Sequence, residues 1–173
     1  WPTIWSTIAK RGTRVDFRTG RAFTLDGAEG ALPKVGQLAE YTARKYCSLP
    51  LEIVWMQQAA TGPYSGWKCG SGRTPFTHFR WSLPAMCGFK GRAIYTDVDF
   101  LFMADLADLW NQDIPGVFLG KVGKKGLHKT CCLLFDCAKA EGHVPDLDTL
   151  REMADPQGTL VKYFTERPAL YSG

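Results

Sequence analysis

Residues 92–110 read RAIYTDVDFLFMADLADLW and combine an apolar run, two closely spaced aspartates and a second acidic pattern. The apolar content of residues 92–96 predicts a buried β-strand. Asp97 and Asp99 follow where this strand ends, and Asp105 opens the DLADLW segment as a predicted helix N-cap. The stretch therefore predicts a strand, a loop with paired carboxylates and a helix, in that order.

Strands and helices alternate on both sides of this stretch. Strands are predicted at 21–25, 51–56, 116–122 and 131–137, and helices at 34–46, 77–88, 146–154 and 159–166. In the helix at 77–88, Thr77 is a candidate N-cap and Pro84 is expected to bend or end the helix. This alternation is typical of an α/β protein, and we expect a mixed, mainly parallel sheet flanked by helices.

The 173 residues suit a single domain with a sizeable core. Residues 1–20 are basic and poorly patterned, which predicts a loosely attached leader before one domain at 21–173, incomplete at its C-terminus. The net charge of +4 suits an anionic substrate such as a nucleotide and is too small to indicate a nucleic-acid partner. No apolar run approaches the ~20 residues that span a bilayer, so no transmembrane segment is predicted.

The six cysteines form no CxxC pair, and the adjacent Cys131 and Cys132 lie in the apolar run TCCLLFDC. Cysteine in such a run behaves as a small apolar residue, so we expect reduced, structural thiols and a cytoplasmic location. A zinc site from Cys131, Cys137 and His143 stays open as an alternative, although the spacing matches no standard ligand pattern.

The paired carboxylates are the strongest candidate for chemistry. In an open α/β sheet, ligands bind beyond the carboxyl ends of the strands, where Asp97 and Asp99 are predicted to lie. Two neighbouring carboxylates are costly to ionise together unless a cation neutralises them. Oxygen ligands suit Mg²⁺ or Mn²⁺ held together with substrate phosphates. The alternative is that both are loop residues, with Asp105 and Asp108 a helix cap and a first-turn acid.

The string YTDVDFLFMADLADLW resembles the nucleotide-sugar glycosyltransferases of the GT-A fold, in particular glycosyltransferase family 8 and its bacterial relatives. The upstream segment TPFTHFRWSLPAMCGFKGRAIYTD is similar to the family's helix and turn before this motif, and CCLLFDCAKA resembles a later strand. The resemblance covers about residues 21–140. It implies a GT-A, Rossmann-like nucleotide-diphospho-sugar transferase fold.

The resemblance also implies a set of site residues. Asp97 would bind the metal and the donor ribose, and Asp99 would bind the metal that bridges the diphosphate. Arg80 would pair with the donor's phosphate or sugar, for which a guanidinium is well shaped. Further donor contacts are implied for Val98 through its backbone, for Asp26 beside Leu25 and Gly27, and for Asp136. No side chain can be named as the catalytic nucleophile.

The function implied is metal-dependent transfer of a sugar from a nucleotide sugar to a glycan, lipid or protein acceptor, with retention of configuration. The donor first expected is a UDP-sugar. The family also supplies a downstream histidine as a metal ligand, and His128 and His143 come too early in the chain to be that residue. One alternative is therefore a truncated or inactive GT-A domain that binds nucleotide sugar without transfer. Another is a haloacid-dehalogenase-type phosphatase, although that family expects its DxD on the first strand and Thr or Val where Leu101 stands.

Overall fold

The computed structural model describes residues 3–7, 34–56, 64–65, 76–97, 99–123 and 126–172. The helices are α1 Lys34–Tyr46, α2 Phe76–Phe79, α3 Leu83–Met86, α4 Leu106–Trp110, α5 Leu147–Glu152 and α6 Pro156–Thr165. The strands are β1 Thr3–Thr7, β2 Glu52–Met56, β3 Arg92–Thr96, β4 Phe118–Gly123, β5 Gly126–Asp136 and β6 Tyr171–Ser172. Two short 3₁₀ segments, Arg80–Ser82 and Pro168–Leu170, complete these elements.

The six strands form one sheet in the order β2-β1-β3-β5-β4-β6. Of the five pairings between described strands, only β4 with β6 is parallel. The expected mixed α/β architecture is confirmed, but the expectation of a mainly parallel sheet is wrong. A helix between two strands makes them parallel neighbours only when it forms a crossover from one strand to the next. Here β4 and β5 follow each other directly and pair antiparallel. Strand β3 also pairs antiparallel with both of its neighbours, β1 and β5.

Several predicted elements are confirmed by their position in the chain. Helix α1 covers the predicted 34–46, and strands β2 and β3 lie within the predicted 51–56 and 92–96. Strand β5 begins earlier than expected, at Gly126. Residues 3–7 fall in the segment for which the sequence indicates a leader, and the structure gives them a strand between β2 and β3 instead. The strand predicted at 21–25 lies outside the described residues.

The helical segment before β3 is built from three short pieces. It begins at Phe76, ahead of the predicted cap, tightens into a 3₁₀ turn over Arg80–Ser82, and continues to Met86. Pro84 does not end it, because it lies in the first turn of α3, where a backbone N–H has no helical partner to lose. The 3₁₀ turn buries all three of its side chains, including the charged Arg80.

Apolar residues cover both faces of the sheet. Along β3 the side chains alternate, so Tyr95 packs in a large aromatic core and Ile94 packs in a second core beneath α4. Five aromatic residues form the centre of the large core: Trp81, Phe118, Phe135, Phe164 and Tyr171. Phe118 is completely buried among them, with its ring centroid 4.9 Å from that of Phe164 and 5.4 Å from that of Phe135.

The cysteines in the described part of the chain are free thiols, as expected: Cys47, Cys87, Cys131, Cys132 and Cys137. Cys69 lies outside the described residues. Among those residues no group of three metal-binding side chains comes together, so Cys131, Cys137 and His143 do not form the zinc site left open above. Within the same part of the chain, no helix combines the length and the apolar character that crossing a membrane requires.

Asp105 caps α4 as predicted and also ties this helix to the loop after α1. Its Oδ1 atom accepts hydrogen bonds from Ala107 N at 2.9 Å and from Ser48 N at 3.0 Å. The interactions with Ser48 and Ala107 lower the pKa of the Asp105 carboxyl. One carboxylate therefore fixes both the start of α4 and the path of the preceding chain.

We expect Asp105→Ala to lower the melting temperature by several degrees at neutral pH, because both backbone donors lose their acceptor. The folded-state pKa of Asp105 is lowered, so this stabilisation is present above the ordinary carboxyl pKa and is lost as the pH falls through the lowered pKa. Thermal melts of parent and variant should therefore converge in strongly acidic buffer. Asp108→Ala, an exposed change in the same helix, is the control, and an equal loss in both variants would contradict the capping role.

Candidate functional site

The acidic loop after β3 is held in place by the neighbouring strand. The backbone N–H of Asp97 donates to the Cys131 carbonyl on β5 at 2.8 Å, and Phe100 N donates to the Asp97 carbonyl at 3.3 Å. The Asp97 side chain is one-third exposed and Asp99 is exposed in the turn that follows. Val98 lies outside the described residues. The loop thus presents two carboxylates, one of them anchored, at the end of β3.

Arg80 and Tyr95 converge on a single oxygen of Asp97. The Arg80 Nη2 atom lies 3.3 Å from Asp97 Oδ1, and the Tyr95 hydroxyl donates to the same oxygen at 2.5 Å. The guanidinium carbon also lies 5.0 Å from the centre of the Tyr95 ring, which supports it from one face. No described residue donates a hydrogen bond to the other carboxylate oxygen of Asp97, so that oxygen can face a ligand.

Burial raises the pKa of the Asp97 carboxyl above its ordinary value. The Arg80 charge and the Tyr95 hydrogen bond oppose this change, and the neighbouring Asp99 adds to it. The effect of burial on the Asp97 pKa therefore exceeds the opposing effect of the Arg80 guanidinium. A further cation beside the loop would stabilise the charged form of both carboxylates.

Two residues that sequence reasoning missed orient Arg80 from the opposite side. Arg80 Nη1 donates to Thr130 Oγ1 at 2.5 Å, and Gln157 Nε2 donates to the same hydroxyl oxygen at 3.1 Å. The Arg80 Nε atom is buried without a hydrogen-bond partner among the described residues.

Tyr95 could have been found from the sequence, because side chains two apart in a strand share a face and Asp97 follows Tyr95 by two. Thr130 and Gln157 carried no comparable signal. Thr130 reaches the site only because β5 pairs antiparallel with β3, and Gln157 only because α6 packs near β5.

The structure does not bring Asp136 to this site. Asp136 pairs with Arg92, the first residue of β3, whereas Asp97 follows the last. Five residues of strand separate the two ends, which corresponds to about 16 Å. A parallel arrangement of these strands would have placed Asp136 beside Asp97, and the antiparallel pairing places it at the far end instead, where it holds Lys139.

The remaining sequence candidates lie elsewhere or outside the described residues. Asp26 lies outside them, and nothing is described of the His128 side chain. His143 Nδ1 forms a hydrogen bond with the Tyr163 hydroxyl at 2.8 Å on α6. His78 is almost completely buried, with Nε2 3.7 Å from Asp155 Oδ1 at the start of α6. Of the predicted site residues, the structure therefore brings together Arg80, Asp97 and the adjacent Asp99.

The carboxylates of Asp97 and Asp99 could supply two ligands to a divalent cation, which would need its other ligands from elsewhere. Asp97 and Asp99 supply carboxylate oxygens, and the described residues offer no third metal-binding side chain beside them. Mg²⁺ is commonly held by one or two carboxylates while substrate phosphates and water complete its coordination. Asp97 and Asp99 could therefore hold Mg²⁺ or Mn²⁺ only together with ligands that a bound molecule and water supply.

A cleft of about 640 Å³ opens beside this loop. It is lined by Phe100, which follows the acidic pair, and by Cys131, whose carbonyl receives the Asp97 N–H. Its walls are mainly apolar, and four polar residues add to them: Gln112, Asp113, Lys121 and Ser172. This volume lies in the range of roughly 300–1,000 Å³ that is usual for small-molecule sites.

The loop and the guanidinium thus form one candidate site for an anionic small molecule and a divalent cation. The cleft meets the loop at Phe100, but none of Arg80, Asp97 and Asp99 lines it. No protein-family model, curated protein or solved structure matches this chain.

Proposed function

We propose that this chain is a metal-dependent glycosyltransferase domain of the GT-A type, which transfers a sugar from a nucleotide-sugar donor to a glycan, lipid or protein acceptor. The observation that carries the proposal is the cluster at the end of β3, where buried Arg80 and Tyr95 hold one oxygen of Asp97, while no described residue donates to the other. Asp99 stands beside it, and the cleft adjoins the same loop.

Each group in this cluster has a role in the proposed reaction. Asp97 and Asp99 would hold Mn²⁺ or Mg²⁺, which neutralises charge on the departing nucleoside diphosphate when bound. Arg80 is kept near the same place and adds positive charge toward the donor's phosphates. No side chain is assigned as a nucleophile, and retention of configuration is carried over from the family resemblance.

The proposal is tested by incubating the chain with a panel of nucleotide sugars, with Mn²⁺ and with chelator in its place. Chromatography of the products should show Mn²⁺-dependent release of UDP from at least one UDP-sugar, either to added acceptor or by slow hydrolysis. Absence of both UDP release and nucleotide-sugar binding across the panel would remove the proposal.

A second candidate function is nucleotide-sugar binding without transfer, as in a truncated or inactive GT-A domain. It is supported by the absence of a third protein ligand beside Asp97 and Asp99 in the described part of the chain. Metal-dependent binding of UDP-sugar with no UDP release would favour it. A haloacid-dehalogenase-type phosphatase is not favoured, since that family expects its DxD on the first strand and here β1 and β2 precede β3.

A further inference from the structure

A continuous chain of hydrogen bonds connects α6 with the acidic loop. The Trp81 indole N–H donates to Gln157 Oε1 at 2.8 Å, and Gln157 Nε2 donates to Thr130 Oγ1 at 3.1 Å. Arg80 donates to Thr130 through Nη1 at 2.5 Å and to Asp97 through Nη2 at 3.3 Å. The other four members of this hydrogen-bond chain are all buried, with at most 8% of each residue's surface exposed: Trp81, Gln157, Thr130 and Arg80. The chain thus runs through the protein interior to the candidate metal ligand.

The direction of each hydrogen bond in this chain is fixed by chemistry. An indole N–H can only donate, so the oxygen of the Gln157 amide must face Trp81 and its NH₂ group must face Thr130. The Arg80 guanidinium can also only donate, so the Thr130 oxygen accepts two hydrogen bonds. A hydroxyl whose two acceptor positions are both used cannot turn freely, and its oxygen stays directed at Arg80.

We propose that Gln157 is a positioning residue for the candidate site: it acts through Thr130 to hold the Arg80 guanidinium against Asp97. The consequence for ligand binding rests on the proposed function, whereas the positioning of Arg80 is a property of the ligand-free protein. Gln157 lies in the first turn of α6, far along the chain from the acidic loop, and touches neither carboxylate. It is therefore a positioning residue and not a metal or donor ligand.

Loss of the Gln157 amide removes the donor that holds the Thr130 side chain from the α6 side. Thr130 still accepts from Arg80, but its own orientation is no longer fixed, so the Arg80 guanidinium is held less firmly between Thr130, Asp97 and the Tyr95 ring. Substitution of residues that orient the ligands of a metal site usually lowers affinity about 10–100-fold. We expect the lower end of that range, about 10-fold, because Gln157 acts through two intervening side chains.

The test uses Gln157→Met, which keeps the length of the side chain but removes both hydrogen bonds, and Gln157→Leu, which removes them with a smaller apolar side chain. Two measurements are made on each protein: the ¹⁵N–¹H signals of the Arg80 guanidinium without ligand, assigned with Arg80→Lys, and the calorimetric affinity for UDP at saturating Mn²⁺. Thr159→Ala changes an exposed residue of the same helix and is the matched control.

We expect both Gln157 variants to lose the separate Arg80 Nη signals and to bind UDP about 10-fold more weakly, while Thr159→Ala matches the parent. Unchanged Arg80 signals with UDP affinity within about twofold of the parent would overturn the proposal, even if the melting temperature falls. If the parent binds no UDP, the proposed function fails separately and the Arg80 signals alone decide the positioning. If Gln157→Met does not fold, Gln157→Leu decides in the same way.

Discussion

Asp97→Asn is expected to weaken Mn²⁺-dependent binding of UDP by at least about 100-fold, because a direct ligand should cost no less than the residues that orient one. Asparagine keeps the shape of the side chain and an oxygen that accepts from Arg80 and Tyr95, so the two hydrogen bonds to that oxygen survive. What it removes is the negative charge and the second carboxylate oxygen. Calorimetric titration of UDP in the presence of Mn²⁺ measures the effect.

The control for this change is Asp108→Asn, which neutralises an exposed aspartate of the same stretch in the first turn of α4. It should leave UDP affinity at the parent value. Asp99→Asn should resemble Asp97→Asn in its loss of Mn²⁺-dependent affinity, since both carboxylates are assigned to the cation. If Asp97→Asn and Asp99→Asn both bound UDP as tightly as Asp108→Asn, the acidic loop would not be the metal site.

Phe118→Ala is expected to lower the free energy of unfolding by about 3–5 kcal/mol, the usual range for a buried phenylalanine. The Phe118 side chain is completely buried, and its ring contacts the rings of Trp81, Phe135, Phe164 and Tyr171. These neighbours come from β5, α6, β6 and the 3₁₀ turn before α3, so collapse around the cavity would require several elements to shift together. Urea denaturation followed by tryptophan fluorescence measures the loss.

Tyr41→Ala provides the comparison for this prediction, because Tyr41 is an aromatic residue of α1 with 60% of its surface exposed. Its removal should change the free energy of unfolding by about 0.5 kcal/mol or less. A Phe118→Ala effect as small as that of Tyr41→Ala would contradict the position of Phe118 at the centre of the aromatic core. The slope of the denaturation curve should stay close to that of the parent if only stability changes.

In the stretch at 92–110, local sequence patterns predict the secondary structure correctly. A short apolar run predicted β3, and the spacing of acids and apolar residues predicted α4 with Asp105 as its cap. Both depend on interactions between residues close in the chain, such as the bond from Ala107 N to Asp105. The same holds for α1, whose helical spacing matches the bounds found in the structure.

The direction of the strands could not be read from such patterns, because it depends on which strands become neighbours. Once β5 pairs antiparallel with β3, Asp136 moves to the far end of the sheet and Thr130 comes beside Arg80. Gln157 was missed for a related reason, since a buried glutamine on a short helix has no sequence signature. The charged centre of the site was thus accessible to sequence reasoning, and the residues that orient it were not.

Arg80 combines a residue type that the sequence singled out with a local backbone conformation that it did not predict. The family resemblance singled out Arg80, and the structure brings its guanidinium to Asp97 through a 3₁₀ turn that the sequence did not predict. A regular helix through this segment would turn by about 100° per residue in place of about 120°, so the turn changes where each following side chain points. Because the turn begins at Arg80, it sets the direction of Trp81 relative to Arg80, and Trp81 reaches Gln157 from there.

The central claim is that the loop after β3 binds a divalent cation together with a nucleoside diphosphate. Electron paramagnetic resonance of Mn²⁺ tests it most directly, because the six-line signal of the free ion falls as the ion is bound. The account predicts that the parent chain with UDP removes one equivalent of free Mn²⁺ signal and that Asp97→Asn and Asp99→Asn do not. An undiminished signal in the parent, or an equal decrease in all three proteins, would contradict it.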